Sequence, residues 1–389
     1  MNILFFYRIY PNFGGVETVT TVLANKFASD GNQVTIVSIE QPHMELKSQL
    51  SDGIDVLKLG YPVFSTENVQ KLHQILKERK IDILINQWGL PYKTTQLCNA
   101  AIRGLPCHLI SVLHGSPYTS KVILTAQDKV SSAKNVFKKI FFKCILFAKE
   151  LVIKKSIRYN IAHNEKYILL SKSFIQPLIQ YSKVKQVDGI TAIGNPITIP
   201  VDLTNFSLEK KKKQILYAGR MDFENKRVNR IISAWQQIAL KYPDWELILV
   251  GDGPHKPTLI ETVKKENIPR VTFYEFQETA PISFYKDASI YMLTSDLEGF
   301  GLVILESMSF GVVPVVYGSY EAVYDIIEDG KSGFITPKPY SETYTVQRIE
   351  KLIQDDQLRK KMAHYAMERA TKFSLDSVVH QWYTLFKEL

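Results

Sequence analysis

EGFGLVILESMSFGVVPVVYG, residues 298–318, decides how this chain is read. Just before it, Ser289–Ser295 (SIYMLTS) is a short apolar run of the kind that forms a buried parallel strand. The order is therefore strand, glycine-bearing loop, helix, strand. A helix N-terminus presents unpaired N–H groups and a partial positive charge to an anion at the loop. Gly299 and Gly301 let the backbone approach a phosphate closely. Glu298 lies in the loop and Glu306 one or two turns into the helix, so both can face one crevice. Carboxylates accept hydrogen bonds from hydroxyls, so the constellation suits a ligand carrying sugars and phosphates together. An ordinary βα unit with two solvated glutamates is the bland alternative. The full string, with Gly311 and Pro314 in place, weighs against it.

At 389 residues the chain exceeds one comfortable core, so two domains are expected. The composition, 45% apolar and 22% charged, is that of an ordinary globular protein. No run approaches the length of a membrane span, and Ile3–Tyr7 reads as a first strand, too short for a signal peptide. Cys98, Cys107 and Cys144 have no metal or redox spacing, which points to a reducing, cytoplasmic setting. The net charge of +9 has a clustered surplus. Residues 134–158 hold Lys134, Lys138, Lys139, Lys143, Lys149, Lys154, Lys155 and Arg158 against Glu150 alone. On a helical wheel Ile140, Cys144, Phe147 and Leu151 form one stripe, expected to pack on a core. Phe142, Ile145, Leu146 and Ile153 then remain outside among the lysines. Such a surface suits an anionic membrane, and the expectation is peripheral attachment at the cytoplasmic face of the inner membrane. A core helix with snorkelling lysines is the alternative. No nucleic-acid motif accompanies the charge.

Along the first half, Ile3–Tyr7, Val34–Ile39, Ile81–Asn86, His108–Leu113 and Tyr167–Leu170 read as strands, with helices beginning near Val16, Val69 and Lys93. Asn195–Lys213, with two prolines and a lysine run, interrupts the rhythm as an interdomain linker would. The alternation restarts with strands at Gln214–Gly219, Glu246–Gly251, Val271–Phe276, Ser289–Ser295 and Val313–Tyr317. Helices are expected at Arg227–Ala239, Leu302–Phe310 and Tyr320–Ile327, and Leu375–Leu389 closes with apolar residues at helical spacing. The fold class is α/β, two parallel-sheet domains facing across a cleft, where open sheets hold ligands. The expected domains are 1–197, joined by the helix 375–389, and 198–374.

A second element follows the linker. In ILYAGRMDFENKRVNRIISAW a strand ends at Gly219, Arg220 stands at its carboxyl end and Lys226 opens the next helix. Arginine grips phosphate oxygens through paired hydrogen bonds, and lysine acts as a compact point charge. Two preorganised cations would stabilise a departing diphosphate. Solvated cations partnered by Asp222 and Glu224 are the alternative.

With these residues in view, the chain resembles the retaining glycosyltransferases of family 4, which have the two-domain GT-B fold with Rossmann-like halves. Four blocks carry the resemblance: GGVE at Gly14–Glu17, YAGRMDFENKR at Tyr217–Arg227, VGDGP at Val250–Pro254 and EGFGLVILE at Glu298–Glu306. It implies that Glu306 binds the ribose of a nucleotide diphosphate sugar and that Glu298 contacts the transferred sugar. It gives Arg220 and Lys226 the diphosphate, helped by the backbone of Gly299, Phe300, Gly301 and Leu302 and, from the first domain, Gly15. It places the base near Phe273–Gln277, with Phe276, and His114 (in VLHGSPY) near the transferred sugar. The family departs here in one respect: many members follow this lysine with glycine, where this chain has Arg227.

The resemblance thus implies a hexosyltransferase-type enzyme that retains anomeric configuration without cofactor or metal. Its acceptor would be a saccharide or lipid-linked saccharide, as in bacterial surface polysaccharide or lipopolysaccharide assembly. The alternatives are a GT-B nucleotide-sugar epimerase and a nucleotide-sugar-binding scaffold without transferase activity. A dinucleotide-dependent dehydrogenase is disfavoured, because Asn12–Gly15 stands where G-x-G-x-x-G would follow the first strand.

Overall fold

A computed structural model describes residues 1–116, 118, 121–185, 187–277 and 279–389. The chain forms two compact units, Met1–Asn195 with Val378–Leu389, and Pro196–Ser377. Among the described residues, the first unit has seven strands: β1 Asn2–Ile9, β2 Gln33–Glu40, β3 Asp55–Lys58, β4 Ile83–Asn86, β5 His108–Leu113, β6 Lys166–Leu169 and β7 Ile190–Ala192. The second has six: β8 Gln214–Ala218, β9 Glu246–Val250, β10 Val271–Tyr274, β11 Ile290–Leu293, β12 Val313–Tyr317 and β13 Phe334–Thr336. Both sheets are parallel and run in the orders β3-β2-β1-β4-β5-β6-β7 and β10-β9-β8-β11-β12-β13. This is the doubly wound Rossmann-like order in both units, the two-sheet arrangement of the GT-B fold.

The order reverses between β1 and β4 in the first sheet and between β8 and β11 in the second. Crossovers on either side of such a point leave it in opposite directions and open a crevice at the carboxyl ends of the strands. The central strands are apolar throughout because helices cover both faces of the sheet; Ile3, Leu4, Phe5 and Phe6 of β1 are fully buried. In the first unit the helices are α1 Gly15–Ser29, α2 Thr66–Glu78, α3 Tyr92–Ile102, α4 Lys121–Ser132, α5 Val136–Ala162 and α6 Ile175–Ser182. The second unit carries α7 Val228–Ile238, α8 Lys256–Lys265, α9 Ile282–Asp287, α10 Leu302–Ser309, α11 Ala322–Ile326, α12 Glu342–Gln354 and α13 Asp356–Thr371. The closing helix, α14 Leu375–Phe386, places its residues from Val378 onward in the first unit. There Phe27 of α1 stacks on Phe5 at 6.1 Å and meets Tyr383 and Phe386 at 5.5 and 5.8 Å.

Two expectations need correction. The stripe Ile140, Cys144, Phe147 and Leu151 does not pack on the core; all four are exposed, whereas Phe142, Ile145, Leu146 and Ile153 are half-buried. The phase of α5 is set at its C-terminal end. Ser156 Oγ donates to the Leu90 carbonyl at 2.5 Å, and Asn160 Nδ2 donates to that of Gly89 at 2.6 Å. Stepping back three or four residues at a time from this buried polar pair leads through Ile153 to Leu146 and Phe142. The helix is apolar on several sides, so a wheel alone could not choose between them. The second correction concerns Asn195–Lys213, which is no free linker. From Pro196 onward it belongs to the second unit. Phe206 packs edge-on against Phe310 at 6.3 Å, and Lys211 Nζ donates to the Tyr285 carbonyl at 2.6 Å. Burial lowers that ammonium to a pKa of about 7.

Candidate functional site

The residues singled out in the second unit stand on the loops after β8 and β11, the two strands flanking its switch point. After β8 the chain turns sharply through Gly219 and Arg220. The Tyr217 hydroxyl donates to the Arg220 carbonyl at 2.6 Å, and Met221 N–H donates to the Asp252 backbone carbonyl at 2.8 Å. The VGDGP block explains itself here: a Cβ on Gly253 would lie 2.3 Å from the Met221 carbonyl oxygen. Its glycine lets two backbones touch beneath Arg220. The Arg220 side chain is largely exposed, 3.5 Å from the Asp222 carboxylate.

Asp222 is buried and organises the rest of the loop. Its Oδ1 accepts from the backbone N–H groups of Asn225 and Lys226, both at 2.7 Å. This aims Lys226 at the β11 loop, where its Nζ meets Glu298 Oε1 at 2.6 Å. The two loops are further joined by Asp296 N–H to the Asn225 carbonyl at 2.8 Å and by Arg230 to Asp296 at 2.6 Å. Arg227, the departure from glycine, adopts φ 54° and ψ 41°, the left-handed conformation that glycine adopts freely. Its Nε donates to the second oxygen of Asp296.

In the β11 loop Phe300 is buried against Phe373 at 5.8 Å. Gly301, at φ 99°, caps α10, and a Cβ there would meet the Tyr320 hydroxyl at 2.5 Å. That hydroxyl is buried with no hydrogen-bond partner among the described residues, and the same is true of Ser295 Oγ. Glu306, on the second turn of α10, is buried; it accepts from Thr198 Oγ1 at 2.8 Å and from the Tyr285 hydroxyl at 3.1 Å. Burial raises its pKa, and the two hydrogen bonds offset part of that rise. Phe276 lies exposed just past β10.

The structure thus joins Lys226 to Glu298 directly and holds Arg220, Gly299, Phe300, Gly301 and Leu302 on the same pair of loops. Asp296, Thr198 and Tyr320 were missed, and Asp222 was expected only as a partner of the cations, not as the organiser of the loop. Asp222 had a signal, an aspartate three and four residues before backbone groups needing an acceptor, and Asp296 stands two residues ahead of Glu298. Thr198 and Tyr320 reach the site through tertiary packing and left no local trace. Among the described residues no group of three histidine, cysteine, aspartate or glutamate side chains could hold a metal.

In the first unit, described by itself, Gly15 opens α1 in the turn after β1, beside that sheet's switch point. His114 follows β5, and its Nε2 hydrogen-bonds Gln87 Oε1. That oxygen only accepts, so Nε2 carries the proton. Nδ1 is buried without a hydrogen-bond partner among the described residues, and burial lowers the ring to a pKa of about 3. Burial therefore favours the neutral imidazole, which suits a fixed polar wall.

Residues 202–369 match the family described as Glycosyl transferases group 1. Over 97% of its length the chain is 24% identical to an uncharacterised glycosyltransferase of Haemophilus influenzae, covering 98% of that protein. It is 24% identical, over 52% of its length and 56% of the relative, to a Campylobacter jejuni alpha-1,4-N-acetyl-D-galactosaminyltransferase named for a diphospho-undecaprenol-linked acceptor. Among solved structures, HepE of Anabaena in complex with UDP-glucose superposes over all of both chains with a TM-score of 0.73 at 18% identity.

Proposed function

This chain is a glycosyltransferase with the GT-B fold, and from that premise we propose the reaction it performs. It transfers a glycosyl unit from a nucleotide diphosphate sugar to a hydroxyl of a saccharide or lipid-linked saccharide, retaining the anomeric configuration. The observation that carries this reading is the Lys226–Glu298 pair at 2.6 Å, held by two loops at the switch point of the second sheet with Arg220 beside it. An ammonium has three donors, so Lys226 keeps Glu298 in place and still has hydrogens for phosphate oxygens. In this reading Arg220 and Lys226 bind the diphosphate with the α10 N-terminus, Glu298 receives hydroxyls of the transferred sugar, and Glu306 receives those of the ribose. Gly15 is assigned to the diphosphate, Phe276 to the base and His114 to the transferred sugar.

The bond from the anomeric carbon to the diphosphate breaks as the acceptor oxygen bonds to the same face of that carbon. The acceptor proton passes to the departing diphosphate. The protein supplies orientation and charge stabilisation. The UDP-glucose bound by HepE supports a nucleotide sugar as donor, and the Campylobacter enzyme's name supports a lipid-linked acceptor. No helix among the described residues is long and apolar enough to cross a membrane. The lysine-rich first half of α5 supports peripheral docking on an anionic membrane, at the cytoplasmic face in this reading, where polysaccharide precursors are built.

Two variants test the assignments. Glu306→Gln should weaken donor binding by about 10- to 100-fold, the worth of a charged hydrogen bond or two. Arg220→Ala should lower turnover by about 100- to 1,000-fold with a smaller effect on KM. Near-normal donor affinity and turnover in both would remove the basis of this reading.

A further inference from the structure

The first unit contains a cavity of about 510 Å3 that none of the roles above uses. It lies at the carboxyl ends of that sheet's strands: Tyr61 and Phe64 follow β3, and Trp88 and Tyr92 follow β4. Val122 of α4 and Ile153 of α5 face them. The lining is overwhelmingly hydrocarbon and aromatic, yet its walls are built with polar anchors. Asn68 of α2, itself buried, donates to the carbonyls of Gly60, Pro62 and Val63 at 2.8, 3.0 and 3.0 Å and fixes the first loop. Ser156 and Asn160 fix the second by bonding Leu90 and Gly89. A preformed wall of this kind spares a ligand the cost of ordering it.

The surface of α5 continues from the cavity. Val152 lines it, and the exposed face of the helix runs back from there through Leu151, Phe147, Phe141, Ile140 and Phe137. This apolar track is about 22 Å long at the rise of a helix. Lys134, Lys138, Lys139 and Lys143 stand among its residues, also exposed. Exposed cations are found at the cavity too: Lys93 lines it, and the Arg8 guanidinium, paired with the Glu40 carboxylate at 3.0 Å, lies 5.6 Å from the Trp88 ring and 3.2 Å from the Tyr61 hydroxyl. A sugar alone would demand hydrogen-bonding groups inside the cavity. A hydrocarbon chain ending in a phosphate demands an apolar slot, cations at its end and an apolar approach flanked by lysines, and these are what the unit carries.

We infer that this cavity binds the hydrocarbon chain of a lipid-linked, phosphate-bearing acceptor, which reaches it along α5. The inference rests on the acceptor class proposed above and commits that class to a lipid. It assigns Tyr61, Phe64, Trp88 and Val152 to chain binding, with Lys93 and Arg8 toward the phosphate.

The test uses the full chain without donor, so its result does not depend on transfer. Farnesyl phosphate is titrated while tryptophan fluorescence is read, with Trp88→Phe as the control that locates the signal. Saturable binding is expected. Val152→Glu and Phe64→Glu both change exposed positions and should leave the melting temperature in place. Each should weaken farnesyl phosphate at least tenfold and leave unchanged the binding of whichever nucleotide the unmodified protein takes. No saturable binding, or binding untouched by both variants, would overturn the site. Equal affinity for inorganic phosphate would reduce it to an anion site, and equal affinity for a short-chain phosphatidylglycerol would make it a membrane-lipid anchor. Self-association abolished by Val152→Glu would make it an interface between copies of this chain. Any of these three would overturn the acceptor assignment. Failure of UDP, GDP, ADP, TDP and CMP alike to bind the unmodified protein would instead count against the donor reading, independently of the cavity.

Discussion

At position 227 a side chain occupies backbone that costs an L-residue about 1–2 kcal/mol. The Asp296 carboxylate, which also receives Arg230, holds it there. Arg227→Gly should relieve the backbone cost while losing one half-exposed ion pair, so its stability should change by less than about 1 kcal/mol. Arg227→Val gains nothing and forces a β-branched residue into the same conformation. It should destabilise by at least about 1–2 kcal/mol and raise KM for the donor, because Lys226 is the adjoining residue. Thermal melts with donor titration separate the two. His114 makes a second prediction. Its pKa is lowered on folding, so between about 6.5 and 3 the unfolded chain binds the extra proton. Stability therefore rises with pH across that window and is lost as pH falls through it, at up to about 1.4 kcal/mol per pH unit. His114→Gln should flatten that part of the stability profile, as read by denaturant melts between pH 6.5 and 4. An unchanged slope would place the ring in water.

At the scale of elements, the strand–loop–helix order around residues 289–310 was legible because apolar run, glycines and helical spacing all agree there, and the chain does form β11, the loop and α10. The strands missed were β3, β7 and β13, each three or four residues long and each at an edge of its sheet. An edge strand has one paired neighbour and little length, so it shows no continuous apolar run. The segment 196–213 was misread for a related reason: proline and lysine signal an absence of regular structure, not of packing. Thr198 and Lys211 bind the second unit through single hydrogen bonds that no periodicity announces. The face of α5 was reversed because its polar anchors, Ser156 and Asn160, carry the phase. The exposed track has a mutational consequence. Replacing Lys138, Lys139 and Lys143 with glutamate should leave stability within about 0.5 kcal/mol and abolish co-sedimentation with anionic vesicles. Retained sedimentation would argue against docking through this helix.

For the molecule as a whole, ligand linkage gives the broadest check. A nucleotide that binds the folded chain alone raises its melting temperature, by about 2.7 kcal/mol of stabilisation at 100 times its Kd. Across UDP, GDP, ADP, TDP and CMP, one base should stand out; a flat response in a folded sample would remove the donor assignment. Trp382 offers the structural counterpart. It is buried among the residues that α14 contributes to the first unit. Trp382→Ala should cost about 3–5 kcal/mol, seen as a drop in melting temperature.

The route of the chain also sets an order of assembly. The first unit is interrupted after Asn195 and resumes at Val378, so the second unit, about 180 contiguous residues, is made in between. At about 5–20 residues per second, a ribosome spends roughly 10–35 s on that stretch. Throughout it, the apolar surface of Phe27 that later meets Tyr383 and Phe386 has no cover. The unit translated first is thus the last to be completed, and for that interval it is the part of the nascent protein most in need of a chaperone.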